Sequence, residues 1–301
     1  MVDYAREVHC FSLRRACRVV GISDSVYRYN PDTDRDKPVI LALQGAVERY
    51  PAHGFGKLFK ILRRWGHGWN HKRVYRIYRE LGLSKRRRGK KRLPSRHPQP
   101  LCVPTEANYC WSMDFMSDSL FCGRRFRTFN AVDDFNREAL AIEIDLNLPA
   151  PRVIRVLERL VAWRGLPKKL RMDNGPEFVS ATLADWAEEY GVELEFIKPG
   201  KPTQNSFVER FNRTCRDEVL NMYVFSTLAE VRDITERWPR EYNDERPHDS
   251  LGDLTPWEYL AKRNSLENSK SGCDGFNRST QHLVKHSCWR SISQGFSWSI
   301  V

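Results

Sequence analysis

Three acidic residues stand where a carboxylate suits chemistry better than solvation. Asp114 sits in Trp111-Ser112-Met113-Asp114-Phe115, an apolar run that reads as a strand. An acid there is costly unless it is paired or bound to metal. Asp173 follows a short strand predicted at 168–172 and opens Asp173-Asn174-Gly175-Pro176-Glu177-Phe178. Strand C-terminal ends in α/β sheets commonly carry catalytic groups, and Gly175 and Pro176 fix a turn there. Glu209 lies in a helix predicted from about 203 to 221. Phe207, Phe211, Cys215 and Val219 form an i, i+4 stripe that should face the core. Glu209 is about 200° around the helix from Phe207 and leaves that stripe. Arg213 and Arg216 lie near its own face. One reading is a surface Glu–Arg pair; the sharper one is a metal-binding carboxylate beside guanidiniums that take phosphate.

Three carboxylates suit one job. Mg²⁺ prefers oxygen ligands and is often held by a few carboxylates plus substrate phosphate oxygens. Two such ions about 4 Å apart activate a water or a 3′-hydroxyl and stabilise the leaving oxygen. No Walker loop, Ser-His-Asp series or dinucleotide fingerprint competes. Spacing alone does not bring the three acids together. His67 and His71 have zinc-like spacing, but no C-x-x-C follows them, so zinc is not expected. The eight cysteines are scattered, which argues against a disulfide framework.

The elements that must position these acids fall in two halves. Residues 12–30 read as helix, tight turn, helix, with Gly21 ending the first helix and Ser23 capping the second. That is helix-turn-helix grammar, which many helical pairs share without reading DNA. Helices are predicted at 38–49, 57–65 and 71–82. The last interleaves Val74, Ile77 and Tyr78 with Lys72, Arg73, Arg76 and Arg79, which suits a helix laid against a duplex. After Pro104, strands are predicted at 109–116, 126–132 and 139–145. A helix at 151–164, strands at 168–172 and 193–197, and helices at 180–190, 203–221 and 227–243 complete the pattern. Strands first, then alternation with helices, predicts an α/β domain with a mixed five-stranded sheet flanked by helices.

The chain has 301 residues and a net charge of +12, unevenly spread. Residues 1–100 carry +16 and residues 101–301 carry −4. A basic half suits a polyanion; an acidic half suits metal. The run Lys85-Arg86-Arg87-Arg88-Gly89-Lys90-Lys91-Arg92 holds seven cations in eight residues. A packed domain cannot bury it. It reads as a solvated hinge or as phosphate contacts; anionic membrane is a weaker third option, since no amphipathic anchor flanks the run. No stretch approaches the ~20 apolar residues of a membrane span, and the N-terminus lacks signal-peptide order. A cytoplasmic protein is expected, nucleoid-associated if it binds DNA.

Taken together, Trp111–Phe115, Asp173–Phe178 and Gln204-Asn205-Ser206-Phe207-Val208-Glu209-Arg210-Phe211-Asn212 resemble the integrase core of bacterial insertion-sequence transposases. Thirty-five residues separate Asp173 from Glu209, the D,D(35)E spacing of that family. Tyr242-Asn243, Arg246-Pro247-His248, Ser250-Leu251 and Thr255-Pro256 resemble its C-terminal signature, and residues 43–83 its helical segment before the core. The best likeness is to the second-frame product of the insertion-sequence-three family, over about residues 10–262.

The resemblance implies a ribonuclease H-like core preceded by a small all-α helix-turn-helix-like region. It implies Asp114, Asp173 and Glu209 as catalytic ligands of two Mg²⁺ (or Mn²⁺) ions, with Asn174 and Gly175 shaping the active-site loop. Arg216 would contact DNA; the candidate DNA contacts also include Arg213, Lys72, Arg73, Arg76, Lys85, Arg86, Arg87, Arg88, Lys90, Lys91 and Arg92. The reaction implied is 3′-end cleavage and strand transfer on double-stranded DNA by a homo-oligomer. In the family an upstream frame supplies a helix-turn-helix and a leucine zipper; no sustained heptad run appears here, so an upstream-frame protein is an expected partner. The expected organisation is a helical DNA-binding region (1–83), a basic linker (84–105), the catalytic core (106–225), its helical extension (226–262) and a disordered or non-native tail (263–301), in which 265–272 reads as loop. The competing function is a catalytically silent DNA-binding regulator derived from a transposase.

Overall fold

The computed structural model describes residues 1–29, 34–85, 103–198 and 202–271, apart from the side chains of 202, 203 and 267–271. The chain divides into two compact units, Met1–Leu260 and Ala261–Val301.

The first unit opens with helices α1 (Val2–His9), α2 (Leu13–Val20) and α3 (Asp24–Arg28). The expected helix, turn, helix stands at α2–α3: Gly21 takes φ 77° to end α2, and the Ser23 hydroxyl accepts the Val26 N–H at 3.2 Å. Sequence reasoning missed α1, which buries Val2 and Ala5 against Ala16 and Cys17. Helices α4 (Lys37–Arg49), α5 (Phe55–Arg64) and α6 (His71–Glu80) pack around Val39, Leu43, Leu58, Leu62, Val74 and Ile77.

The sheet has the order β3-β2-β1-β4-β5, from strands β1 (Cys110–Ser119), β2 (Arg125–Asp133), β3 (Ala139–Asp145), β4 (Lys169–Met172) and β5 (Glu193–Phe196). β1, β2 and β3 run antiparallel; β4 and β5 run parallel to β1 and to each other. This is the ribonuclease H-like arrangement the resemblance implied. Alternation along the strands gives each face its own core. Trp111, Met113, Leu170 and Met172 pack under α7 (Ala150–Arg164) and α8 (Ala181–Tyr190). Met116, Phe126 and Ile144 pack under α9 (Ser206–Cys215) and α10 (Leu228–Asp244).

The long helix expected over 203–221 is three pieces: a 3₁₀ turn at Pro202–Asn205, α9, and a π-helical turn at Arg216–Leu220. Its buried stripe starts at Val208 instead of Phe207, then continues through Phe211, Cys215 and Val219. Phe207 is half-buried beneath the Arg137 guanidinium, 3.5 Å above its ring. Residues 265–271, expected as loop, belong to helix α11 (Pro256–Ser271). After Pro256 at its start, no Gly or Pro interrupts this helix before Gly272. The described part of the second unit, 261–271, completes α11; the rest of the expected tail lies outside the described residues.

Acids of the core face cations of α4 and α5. Glu218, in the π turn, bonds Arg246 Nη2 at 2.8 Å and His53 Nε2 at 3.2 Å, with Lys57 at 4.0 Å. Arg49 pairs with Glu245, and Arg64 with Glu258, each at 2.6 Å; Lys60 pairs with Asp249 and Asp253. Burial raises the Glu218 carboxyl, but the His53 and Arg246 bonds outweigh it and hold the group down at about 2. A carboxyl lowered this way stabilises the fold fully above its ordinary range, about 4.5. That contribution is lost as pH falls towards 2. Glu218→Gln leaves Arg246 without its counter-charge, with an expected loss of about 3 kcal/mol. Urea unfolding at pH 7 measures it as a lower midpoint at unchanged slope; an unmoved midpoint would reduce the pair to ornament.

Candidate active site

The pairing of β1 with β4 sets Ser112 beside Arg171. Asp114 lies two residues beyond that last pair on β1, and Asp173 directly follows the end of β4. Met113 and Met172 turn into the α7–α8 core, so alternation turns Asp114 and Asp173 towards the face that α9 covers. Glu209 stands in the first turn of α9 and is exposed. Asn205, buried at the head of α9, donates to the Met113 carbonyl at 3.2 Å and ties that helix to β1 one residue before Asp114.

Asp114 is the best-held of the three. Its Oδ1 accepts the Phe115 N–H at 2.8 Å, and its Oδ2 accepts from Asn212 Nδ2 at 2.7 Å. Asn212 Oδ1 accepts in turn from Asn130 Nδ2 at 2.6 Å. Asn130 is the residue opposite Asp114 across β1–β2. The relay joins β2, α9 and β1, and both amides are buried. Burial pushes the Asp114 carboxyl up to about 6; the Phe115 N–H opposes this, and the charges of Asp173 and Glu209 add to it. Glu209 is raised by burial.

Asp173 Oδ1 accepts the Gly175 N–H at 3.0 Å. A Cβ at Gly175 would meet that oxygen at 3.0 Å and Glu177 Oε2 at 3.4 Å, so a side chain there requires the Asp173 carboxylate to give way by a few tenths of an ångström. Asn174 donates to the Ile197 carbonyl at 3.0 Å, pinning the loop to the end of β5. Glu177 is held by Arg127.

Two expected neighbours of Glu209 are engaged elsewhere. Arg216 pairs with Asp118 at 3.2 Å and donates to the Ser117 carbonyl at 2.9 Å, while Arg213 lies 4.0 Å from Asp217. Among the described residues neither pairs with Glu209. The expected duplex-facing cations of α6 also divide. Arg73 and Arg76 close on Asp36 at 2.8 and 2.6 Å, and Arg76 also on Glu80 at 2.9 Å; Lys72 is exposed with no acid partner among the described residues. Lys85 donates to the Ala52 carbonyl, and burial lowers its ammonium. Arg86, Arg87, Arg88, Lys90, Lys91 and Arg92 lie outside the described residues. Sequence reasoning missed Asn130, which carries no chemical signature of its own. It quoted Asn205 and Asn212 only as members of a motif, although one turn beyond Glu209 is a natural place for a partner.

The donor set suits a hard divalent cation: three carboxylates, all oxygen, with N–H donors as the described partners of Asp114 and Asp173. Among the described residues no three His, Cys, Asp or Glu side chains stand close enough to form a ready-made metal cage.

Residues 104–202 and 190–256 match two families, each described as an integrase core domain, and residues 34–91 match an HTH-like domain. The HTH-like match therefore falls on α4–α6, downstream of the helix pair at 12–30. The uncharacterized 31.7 kDa protein of insertion element IS407 from Burkholderia multivorans is 43% identical over 259 residues, covering 85% of this chain and 93% of the relative. The uncharacterized 39.2 kDa protein of insertion element IS476 from Xanthomonas euvesicatoria is 38% identical over 251 residues, covering 83% and 72%. Transposase InsD of an IS2 insertion element from Escherichia coli is 27% identical over 249 residues, covering 78% and 81%.

The raised Asp114 carboxyl has a signed consequence. The folded state keeps its proton up to about pH 6, while the unfolded chain releases it near 3.8, so this residue costs stability as pH rises between those values. In metal-free buffer, Asp114→Asn is expected to be more stable than the parent at pH 7 by about 1–3 kcal/mol. The gain should vanish at the acid end. Thermal melts from about pH 3 to 8 in EDTA check it; a gain that grows on acidification would contradict the site.

Proposed function

This chain belongs to the insertion-sequence-three family of transposases, and from that premise we propose that it cleaves the 3′ ends of its element and joins them to target DNA. The family's integrase core and HTH-like segment tie the chain to DNA transposition and DNA binding. The observation that supports the finer reading is geometric: Asp114 on β1 is held by Asn212 of α9, the helix that also carries Glu209, and β1 pairs with β4, the strand that ends just before Asp173.

In this reading Asp114, Asp173 and Glu209 hold two divalent ions, Mg²⁺ or Mn²⁺, which supply the Lewis acidity that activates a water or 3′-hydroxyl and stabilises the leaving oxygen. Asp114 must be ionised to serve. The Asn212 and Phe115 N–H groups favour that form and fix the carboxylate's direction. The Asp173–Gly175 bond holds the second carboxylate at the strand end, and Asn174 keeps its loop closed on β5. Glu209 is free to swing, being exposed on the first turn of α9. Arg216, stationed by Asp118, meets a phosphate beside the scissile bond. The substrate is double-stranded DNA, bound by a homo-oligomer with an upstream-frame protein as partner, in the cytoplasm at the nucleoid. Among the described residues no helix is long and apolar enough to cross a membrane.

The silent-regulator alternative has one observation in its favour, the lack of a ready-made metal cage among the described residues. A strand-transfer assay on element-end DNA with Mg²⁺ separates the two. Asp114→Asn, Asp173→Asn and Glu209→Gln are each expected to lower the rate by at least about 10³-fold while DNA affinity stays within a few-fold. Activity persisting in one variant removes that residue from the site. DNA binding without nicking by the parent chain, in Mg²⁺ or Mn²⁺, leaves the regulator.

A further inference from the structure

Helix α6 carries its charges on two separate arcs. Arg73, Arg76 and Glu80 face Asp36 and are consumed in ion pairs there. His71, Tyr75 and Arg79 recur every four residues on the other arc, with Lys72 beside them, and all four are exposed. Helix α5 is divided the same way. Lys57, Lys60 and Arg64 turn to acids of the core. Phe55, Phe59 and Arg63 recur every four residues on the opposite side, against the open arc of α6.

The rings meet. Phe55 lies 4.8 Å from Tyr75 and 5.0 Å from His71; Phe59 lies 4.9 Å from His71, and the Arg63 guanidinium 5.3 Å from Phe59. Tyr75 keeps 43% of its surface exposed. Among the described residues, Arg63, Lys72 and Arg79 have no acidic partner. The result is an aromatic platform edged by three uncompensated cations. The cations select a polyanion. The half-exposed rings select one with flat faces to offer, which paired bases inside a duplex do not have.

We propose that this α5–α6 face binds single-stranded DNA. Unpaired bases stack on Tyr75 and His71 while Arg63, Lys72 and Arg79 hold the flanking phosphates. The inference rests on the reading of the chain as a DNA transposase and names a substrate form for it: nucleotides unpaired at a cut element end. It replaces the groove-facing role expected for Arg73 and Arg76, whose guanidiniums are engaged.

The test uses the full chain in EDTA, a fluorescent oligothymidylate of roughly 20 nucleotides and a duplex of the same length, read by anisotropy. Tyr75→Ala is expected to weaken oligothymidylate binding about ten-fold and duplex binding less than about two-fold, with Tyr75→Phe near the parent. His71→Ala, also at an exposed site, should shift the same way and guards against a folding artefact in one variant; unchanged melting temperatures confirm intact folds. Lys72→Gln with Arg79→Gln should flatten the single-strand salt slope by about 1.4. Equal weakening of duplex and single strand by Tyr75→Ala overturns the proposal in favour of duplex contact. Unchanged binding to both overturns it in favour of a protein partner for the face. Strand-transfer activity is scored separately, so an inactive parent that still discriminates through Tyr75 would sink the transposase reading and leave this one standing.

Discussion

The proposed site depends on holding carboxylates of like charge near one another in a place that water only partly reaches. Left to themselves, such groups separate or take up protons. The parallel pairing of β1 with β4 limits the first escape, because Asp114 lies in β1, Asp173 directly follows β4, and the residue before each is buried on the opposite face. Met113 and Met172 are fully buried on one side of the sheet, and this commits the next residue of each strand to the other side. Burial first, and the neighbouring charges less, raise the Asp114 carboxyl. In the proposed function a divalent cation held by these acids would offset that cost.

The segment from Asn205 to Leu220 does most of the connecting. Its head is tied to β1 through Asn205, its first turn presents Glu209, and its second turn supports Asp114 through Asn212. Its π-helical end sends Arg216 to Asp118 on β1 and Glu218 to His53 and Arg246. The wider π turn coincides with this double duty, since Val219 and Leu220 remain in the core while Glu218 faces α4–α5. One continuous helical segment therefore carries the third acid and also the anchor for the preceding helical region. A change at either end reaches the other without leaving the backbone.

The basic character of the first hundred residues was legible in the sequence, and so was its general meaning. Its partition was not. Arg73 and Arg76 look the same as Lys72 and Arg79 in a helical projection that shows charge alone. What separates them is Asp36, some forty residues earlier, and that proximity exists only after α4 has packed on α6. Likewise Lys57, Lys60 and Arg64 add to the positive charge of that half until the C-terminal part of the first unit returns with Glu218, Asp249 and Glu258. Charge counts give the partner class; long-range pairing decides which cations remain available to it.

The sequence by itself determined the α/β class, the five strands and the roles of Gly21 and Ser23, and it singled out three acids as candidates. Each follows from local physics: period-two and period-3.6 patterns, caps, turns, and the cost of an acid in an apolar strand. It also carried the family likeness, since motif spacing is a linear property. The tertiary structure alone decided that Asn212 and Asn130 would steady Asp114, that Glu209 would stand clear of Arg213 and Arg216, and that 265–271 would continue a helix. Amide side chains have no periodic signature and acquire a role only when another strand supplies the partner. Registers between strands and contacts between distant helices are set by the packing of the whole unit.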